Sequence, residues 1–178
     1  MSDTVPDVLA ARILATAPRC GATRLVCVDG PSGSGKTVFA DGLGPPVVHM
    51  DDLYPGWDGL EQAVTMLLDE VVAPLAAGRA ARHRCYDWER GEYTSLRDIG
   101  TPPVLVVEGV GAGARAITPY AVLLVWVEAP ATERFRRAME RDGEAYRPHW
   151  ERWAQQERVH FAAEGTRARA DVIVGGDP

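Results

Sequence analysis

Residues 30–37 read Gly30-Pro31-Ser32-Gly33-Ser34-Gly35-Lys36-Thr37 and match G-x-x-x-x-G-K-[ST] at every fixed position. The octet follows a short β-rich run, RLVCVDG from Arg24 to Gly30, and leads into a helical segment. Strand, tight loop and helix in that order narrow the fold to an α/β architecture. The glycines let the backbone curl so that successive N–H groups, those of Ser32 and Ser34 among them, face inward and cradle phosphate oxygens. The helix starting near Gly35 points the positive end of its dipole at the same place. Lys36 can reach β/γ-phosphates, and the Thr37 hydroxyl can ligate Mg²⁺. Lys36 is the only lysine in the chain, every other basic side chain among its 19 Lys and Arg residues being arginine. A compact ammonium fits a tight backbone cradle where a planar guanidinium does not.

The rest of the chain alternates short apolar runs with helical segments, the pattern of a parallel α/β sheet, with no repeat, low-complexity tract or linker. Its 178 residues are expected to form one domain spanning 1–178. Val8, Leu9, Ile13 and Leu14 fall at helical spacing and predict a leading helix over Val5–Ala17. PPVVHMDD predicts a second strand ending at Asp51, and Asp58–Ala77 a helix that Pro74 should bend or end. Pro102–Gly109 and Tyr120–Pro130 are continuously apolar, as strands covered on both faces are. Helices are expected over Ala131–Arg141 and His149–Ala163, and a last strand over Ala170–Gly176.

A net charge of −6 argues against bulk attraction to nucleic acid or an anionic membrane, so a bound anion must be held locally. Cys20, Cys27 and Cys85 are an odd number without CxxC spacing, which suggests neither a disulfide framework nor a zinc site. The N-terminus carries acids where a signal peptide has bases, and no apolar run nears the roughly 20 residues that span a bilayer. A cytoplasmic protein without membrane or nucleic-acid partners is expected.

Three constellations bear on where a phosphoryl group would go. Asp51 and Asp52 lie just past the end of the second strand, at the edge where open α/β sheets bind ligands. A carboxylate there can orient or deprotonate a hydroxyl; the alternative is an acidic turn, which fits Asp52 better than Asp51. Tyr54 and Trp57 could wall a pocket or pack the loop. Glu108 closes an apolar strand, where burial would demand a metal or a donor nearby; the alternative is a surface carboxylate at a strand end. Arg134, Arg137 and Arg141 fall at i, i+3 and i+7 on one helix face, suited either to a lid that neutralises triphosphate charge or to a solvated face with pairs such as Glu133–Arg137. Tyr86, Asp87 and Trp88 could form a small-molecule pocket or an aromatic hairpin.

Taken together these residues resemble the uridine kinase and phosphoribulokinase branch of the P-loop kinases. The phosphate loop matches, MDDLY looks like that family's strand-end D-x-x-Y, and CYDW is similar to its P-x-Y-D-F element. VVEG resembles its strand end, TERFRRAMERD its Arg-rich lid helix, and RARADVIVGG its closing K-x-x-A-D-V-I. The resemblance implies a five-stranded parallel sheet of order 2-3-1-4-5 between helices, with a lid over about 134–150. It implies Mg·ATP as cofactor, held by Gly30, Ser32, Gly33, Ser34, Gly35, Lys36, Thr37 and Arg134. By the same resemblance Asp51 would be the base, with Asp52, Tyr54 and Tyr86 on the substrate, Thr37 and Glu108 on Mg²⁺, and Arg137 and Arg141 clamping phosphates.

Three departures stand out. Glu89-Arg90-Gly91-Glu92 follows the Tyr-Asp-aromatic element where uridine kinases carry a pyrimidine-reading His. Asp52 replaces a more usual Ser and calls for a cation such as Arg82, Arg84 or Arg90. His149, Trp150 and Trp153 fill the segment after the lid, as a specificity element or as core. The expected activity is ATP-dependent phosphorylation of a hydroxyl on a small, nucleoside-like metabolite. The alternative is a nucleotide-dependent switch without an acceptor.

Overall fold

The computed structural model describes residues 5–143 and 146–175. After helix α1 (Val5–Ala15), strand β1 (Arg24–Asp29) runs into the phosphate loop and α2 (Lys36–Gly42). Strand β2 (Val47–His49) ends in a 3₁₀ turn, Met50–Asp52, followed by α3 (Leu60–Met66), a π-helical segment (Leu67–Val72) and α4 (Ala73–Ala76). Strands β3 (Ala81–Asp87), β4 (Glu92–Gly100), β5 (Val104–Glu108) and β6 (Ala121–Glu128) come next. Helices α5 (Ala131–Asp142), α6 (Arg147–Glu164) and α7 (Thr166–Arg169) precede β7 (Val172–Gly175).

The main sheet is parallel and runs β2-β5-β1-β6-β7. Counted within that sheet the order is 2-3-1-4-5; the numbering along the whole chain differs because the antiparallel hairpin β3-β4 is inserted between the second and third core strands. With β1 central, the phosphate loop leaves the middle of the sheet, flanked by the ends of β5 and β6. The interior positions of β1, β5 and β6 are apolar because both faces of the sheet are covered there. Leu25, Cys27, Leu105 and Val107 turn to a core that includes α3, and Val26, Val28, Val104 and Val106 to one that includes α1 and α2.

Two boundaries have local causes. The helix expected over 58–77 is not ended by Pro74: the π segment comes first, and Pro74 sits at the start of the regular turn that follows. The wider i→i+5 pattern accommodates a proline that cannot donate to the ladder. The second strand stops at His49, so Asp51 and Asp52 lie on the turn past the sheet edge. Gly176, expected in the last strand, falls outside the described residues, as do residues 1–4 and, within the expected lid span, 144 and 145.

Candidate active site

A cleft of about 970 Å³ opens over the phosphate loop and is lined by Lys36, Thr37, Asp51, Asp52, Tyr54 and Glu108, with Arg137 and Arg141 from α5. Residues separated by more than a hundred positions in sequence thus share one cavity. The loop itself is shaped by glycine. Gly33 has φ 77°, and a Cβ there would lie 2.4 Å from the Arg134 carbonyl oxygen; Gly35, at φ 99°, opens onto the cleft. Lys36 is buried, and its Nζ donates to the Pro31 carbonyl at 3.0 Å, which curls the side chain back over its own loop. Ser34 is also buried, its hydroxyl without a partner among the described residues.

Glu108 is buried at the end of β5, and its Oε1 accepts from Thr37 Oγ1 at 3.1 Å and lies 2.7 Å from His49 Nδ1. The hydrogen bond to Glu108 raises the His49 pKa, burial opposing it. Thr37 and Glu108 offer hard oxygen donors side by side at the phosphate end of the cleft, a donor set suited to Mg²⁺. A second cluster, Asp52, His83 and Cys85, brings ligand-type atoms within 4.8 Å of one another, but its carboxylate is already ion-paired with Arg97.

The cleft is also walled by aromatic side chains. Tyr54 is buried and its hydroxyl donates to the Val110 carbonyl at 2.8 Å, so the ring walls the cleft while its polar tip is engaged. Trp57 stacks on His149 with centroids 4.5 Å apart and planes within 5°, and also meets Trp88 and Tyr146 at 4.8 and 5.0 Å. The hairpin holds this loop in place: Trp88 Nε1 donates to the Asp51 carbonyl at 3.0 Å, and the Tyr93 hydroxyl to the Leu53 carbonyl at 2.9 Å. The CYDW region is an aromatic hairpin, and of Tyr86, Asp87 and Trp88 only Trp88 lines the cleft.

Four residues sit differently from expectation. The Ser32 amide, expected to face phosphate oxygens, donates instead to Glu157 Oε1 at 2.8 Å, because α6 packs that carboxylate against the loop. Tyr86 is not among the cleft-lining residues; it packs edge-on against Trp88 and Tyr93. Arg134 turns away from the cleft and donates to the Ser32 carbonyl at 3.1 Å and the Ala129 carbonyl at 3.2 Å, bracing the loop from behind. The cation offsetting Asp52 is Arg97, because antiparallel pairing sets Arg97 opposite His83, whereas Arg84 pairs with Glu70 and Arg90 with Asp87. On α5, Arg137 both lines the cleft and pairs with Glu133 at 2.8 Å; bonds from Arg136 and Arg137 lower the Glu133 pKa to about 2.

Asp29, the last residue of β1, lies just outside the phosphate-loop octet and has a role that the motif does not reveal. It is fully buried, and its carboxylate accepts from the amides of Gly30 at 2.7 Å, Gly111 at 3.1 Å and Gly113 at 2.8 Å, tying the phosphate loop to the segment after β5. Burial raises its pKa, and the amides partly oppose that. An acid closing an apolar strand, the signal that singled out Glu108, marks Asp29 equally. Asp29→Ala would leave three buried donors unpaired and is expected to lower stability by about 3 kcal/mol or more, at about 1–3 kcal/mol per orphaned group. Urea unfolding checks this, and an unchanged midpoint would refute it.

The fold is that of the P-loop kinases. A Bacillus stearothermophilus protein provisionally named a uridine kinase superposes with a TM-score of 0.69 at 23% identity, covering 96% of this chain and 97% of its own. A Silicibacter protein provisionally named a fructose transport system kinase gives 0.61 at 18% identity, over 98% and 100%. Among curated sequences, the bifunctional pantoate ligase/cytidylate kinase of a Synechococcus strain is 27% identical over 74% of this chain, which spans 38% of that protein's length. No protein-family model matches. No helix among the described residues is long and apolar enough to cross a membrane.

Proposed function

We propose that this chain transfers the γ-phosphoryl group of Mg·ATP to a hydroxyl of a small metabolite, with Asp51 as the residue that orients or deprotonates the hydroxyl. The observation that carries this is the shared cleft: Asp51 and the aromatic wall face the same cavity as Lys36, Thr37 and Glu108. A site that only hydrolysed nucleotide would have no use for a ring-lined cleft beside the phosphate loop.

Mg·ATP, when bound, supplies the electrophilic phosphorus and a cation that spreads the charge of the transferred group. The chain's own residues do the rest. Loop amides and the Lys36 ammonium would hold β/γ-phosphate oxygens, the ammonium having further donors besides the one given to the Pro31 carbonyl. Thr37 and Glu108 present oxygens to the cation, and His49 fixes the Glu108 carboxylate in place. Arg137 and Arg141 reach in from α5 to stabilise negative charge developing in transfer. Asp51 takes the acceptor proton or holds the hydroxyl for in-line attack. Tyr54, Trp57, Trp88 and Trp153 exclude water from the acceptor end. The acceptor is nucleoside-like by resemblance; a flat ring suits these walls, and the missing pyrimidine-reading His argues against uridine itself.

The test is a panel of nucleosides, vitamins and sugars assayed for acceptor-dependent ADP release. One class is expected to raise the rate well above basal hydrolysis. Hydrolysis indifferent to every acceptor, with a protein partner bound in only one nucleotide state, would instead support a switch.

A further inference from the structure

Ser32 is the residue of the phosphate loop with the most bonds from outside it. Its carbonyl accepts from Arg134 of α5 at 3.1 Å, its amide donates to Glu157 Oε1 at 2.8 Å, and its hydroxyl accepts from Trp153 Nε1 at 2.9 Å. Trp153 and Glu157 lie one turn apart on α6 and bond to each other, Nε1 to Oε1, at 2.9 Å. Both are 4% exposed, so the carboxylate is a buried anion beside a loop built to receive anions. Taking it out of water is costly, and a helix that merely covered the sheet would carry an apolar side chain there.

The Trp153 ring has a second set of neighbours. It stands edge-on to Tyr54 at 4.8 Å and to Trp57 at 6.5 Å, both in the acceptor wall. Helix α6 is fastened to the same wall by Gln156, which donates to the Trp57 carbonyl, by the Arg152–Asp58 ion pair, and by His160, bonded to Glu61 at 2.6 Å. One helix therefore grips the phosphate loop and the acceptor wall at once, and Trp153 touches both.

We propose that Trp153 and Glu157 are positioning residues that couple the two halves of the cleft. Nucleotide in the phosphate loop fixes Ser32, Ser32 fixes the indole and carboxylate of α6, and α6 orders the wall at residues 54–60 that meets the acceptor. This deepens the phosphotransfer function proposed above, since it assigns the two subsites a shared mechanical element. The shared hydrogen bonds give the coupling its path: the Ser32 amide and the indole N–H both end on Glu157 Oε1, so whatever orders Ser32 also orders the indole, and nucleotide binding and wall order rise together.

The experiment is hydrogen exchange of full-length protein with and without Mg·AMPPNP, alongside calorimetric titration of the same nucleotide; neither needs the acceptor. In the wild type, nucleotide is expected to slow exchange across residues 54–60 about tenfold. Trp153→Phe keeps the ring and deletes the donor, and Glu157→Ala removes the acceptor. Each loses two hydrogen bonds of this cluster, and both are expected to bind nucleotide within about tenfold of wild type, yet to lose the protection of 54–60. Glu157→Gln keeps an acceptor oxygen and should restore it, which a purely structural role would not require. Wild type that binds nucleotide without protecting 54–60, or a Trp153→Phe protein that protects it fully, overturns the coupling alone. Wild type that does not bind Mg·AMPPNP overturns the phosphotransfer function, and the coupling with it.

Discussion

Lys36→Ala is expected to abolish acceptor-dependent ADP release while leaving the melting temperature nearly unchanged. Among the described residues the ammonium donates to the Pro31 carbonyl at 3.0 Å, and the loop does not depend on that bond for its shape. That shape comes from the positive φ of Gly33 and Gly35 and from the bonds that Arg134, Trp153 and Glu157 make to Ser32. The lost energy therefore falls on the transition state. Removing one preorganised donor from developing charge costs about 100- to 1,000-fold in rate. Lys36→Arg is expected to fail as well, because the fork of a guanidinium cannot enter the backbone cradle. Steady-state ADP release and a thermal melt check both points. A Lys36→Ala enzyme within tenfold of wild type would show that the phosphates are held elsewhere.

Asp51→Asn carries the second large effect. The side chain is exposed on the 3₁₀ turn past β2, and its backbone carbonyl is held by Trp88, so the amide variant keeps the turn and changes only the charge and basicity. Loss of a positioned general base is expected to lower kcat by about 10²- to 10⁴-fold. The KM for ATP should stay within a few-fold of wild type, because the phosphate loop is untouched. Asp52→Asn should do less to kcat, since that carboxylate is already spent on Arg97. If Asp52→Asn is the inactive variant and Asp51→Asn the active one, the two roles are exchanged.

The parts legible in the sequence are those with local causes. The phosphate loop is a contiguous octet, the core strands are continuously apolar because both faces are covered, and Glu108 stands out as an acid closing such a strand. What could not be read depends on register and long-range packing. Arg97 meets Asp52 only because the hairpin pairs it opposite His83, and nothing in YTSLRDIG reveals that pairing. Glu157 bonds to an amide 125 residues earlier, so WERWAQQERVH looks like an ordinary helical stretch until the helix is seen on the loop. Arg134 shares a helical face with Arg137 and Arg141, yet its nearness to the Ser32 and Ala129 carbonyls turns its guanidinium away from the cleft.

The solitary lysine has a practical corollary. With a single ε-amine in the chain, placed on the floor of the cleft, an acyl-phosphate or aldehyde reagent has one side-chain address apart from the terminal amine. Bound nucleotide should shield that address. Intact-mass counting of one adduct gained or lost per molecule would then report how full the site is, without a turnover assay and before any acceptor has been identified.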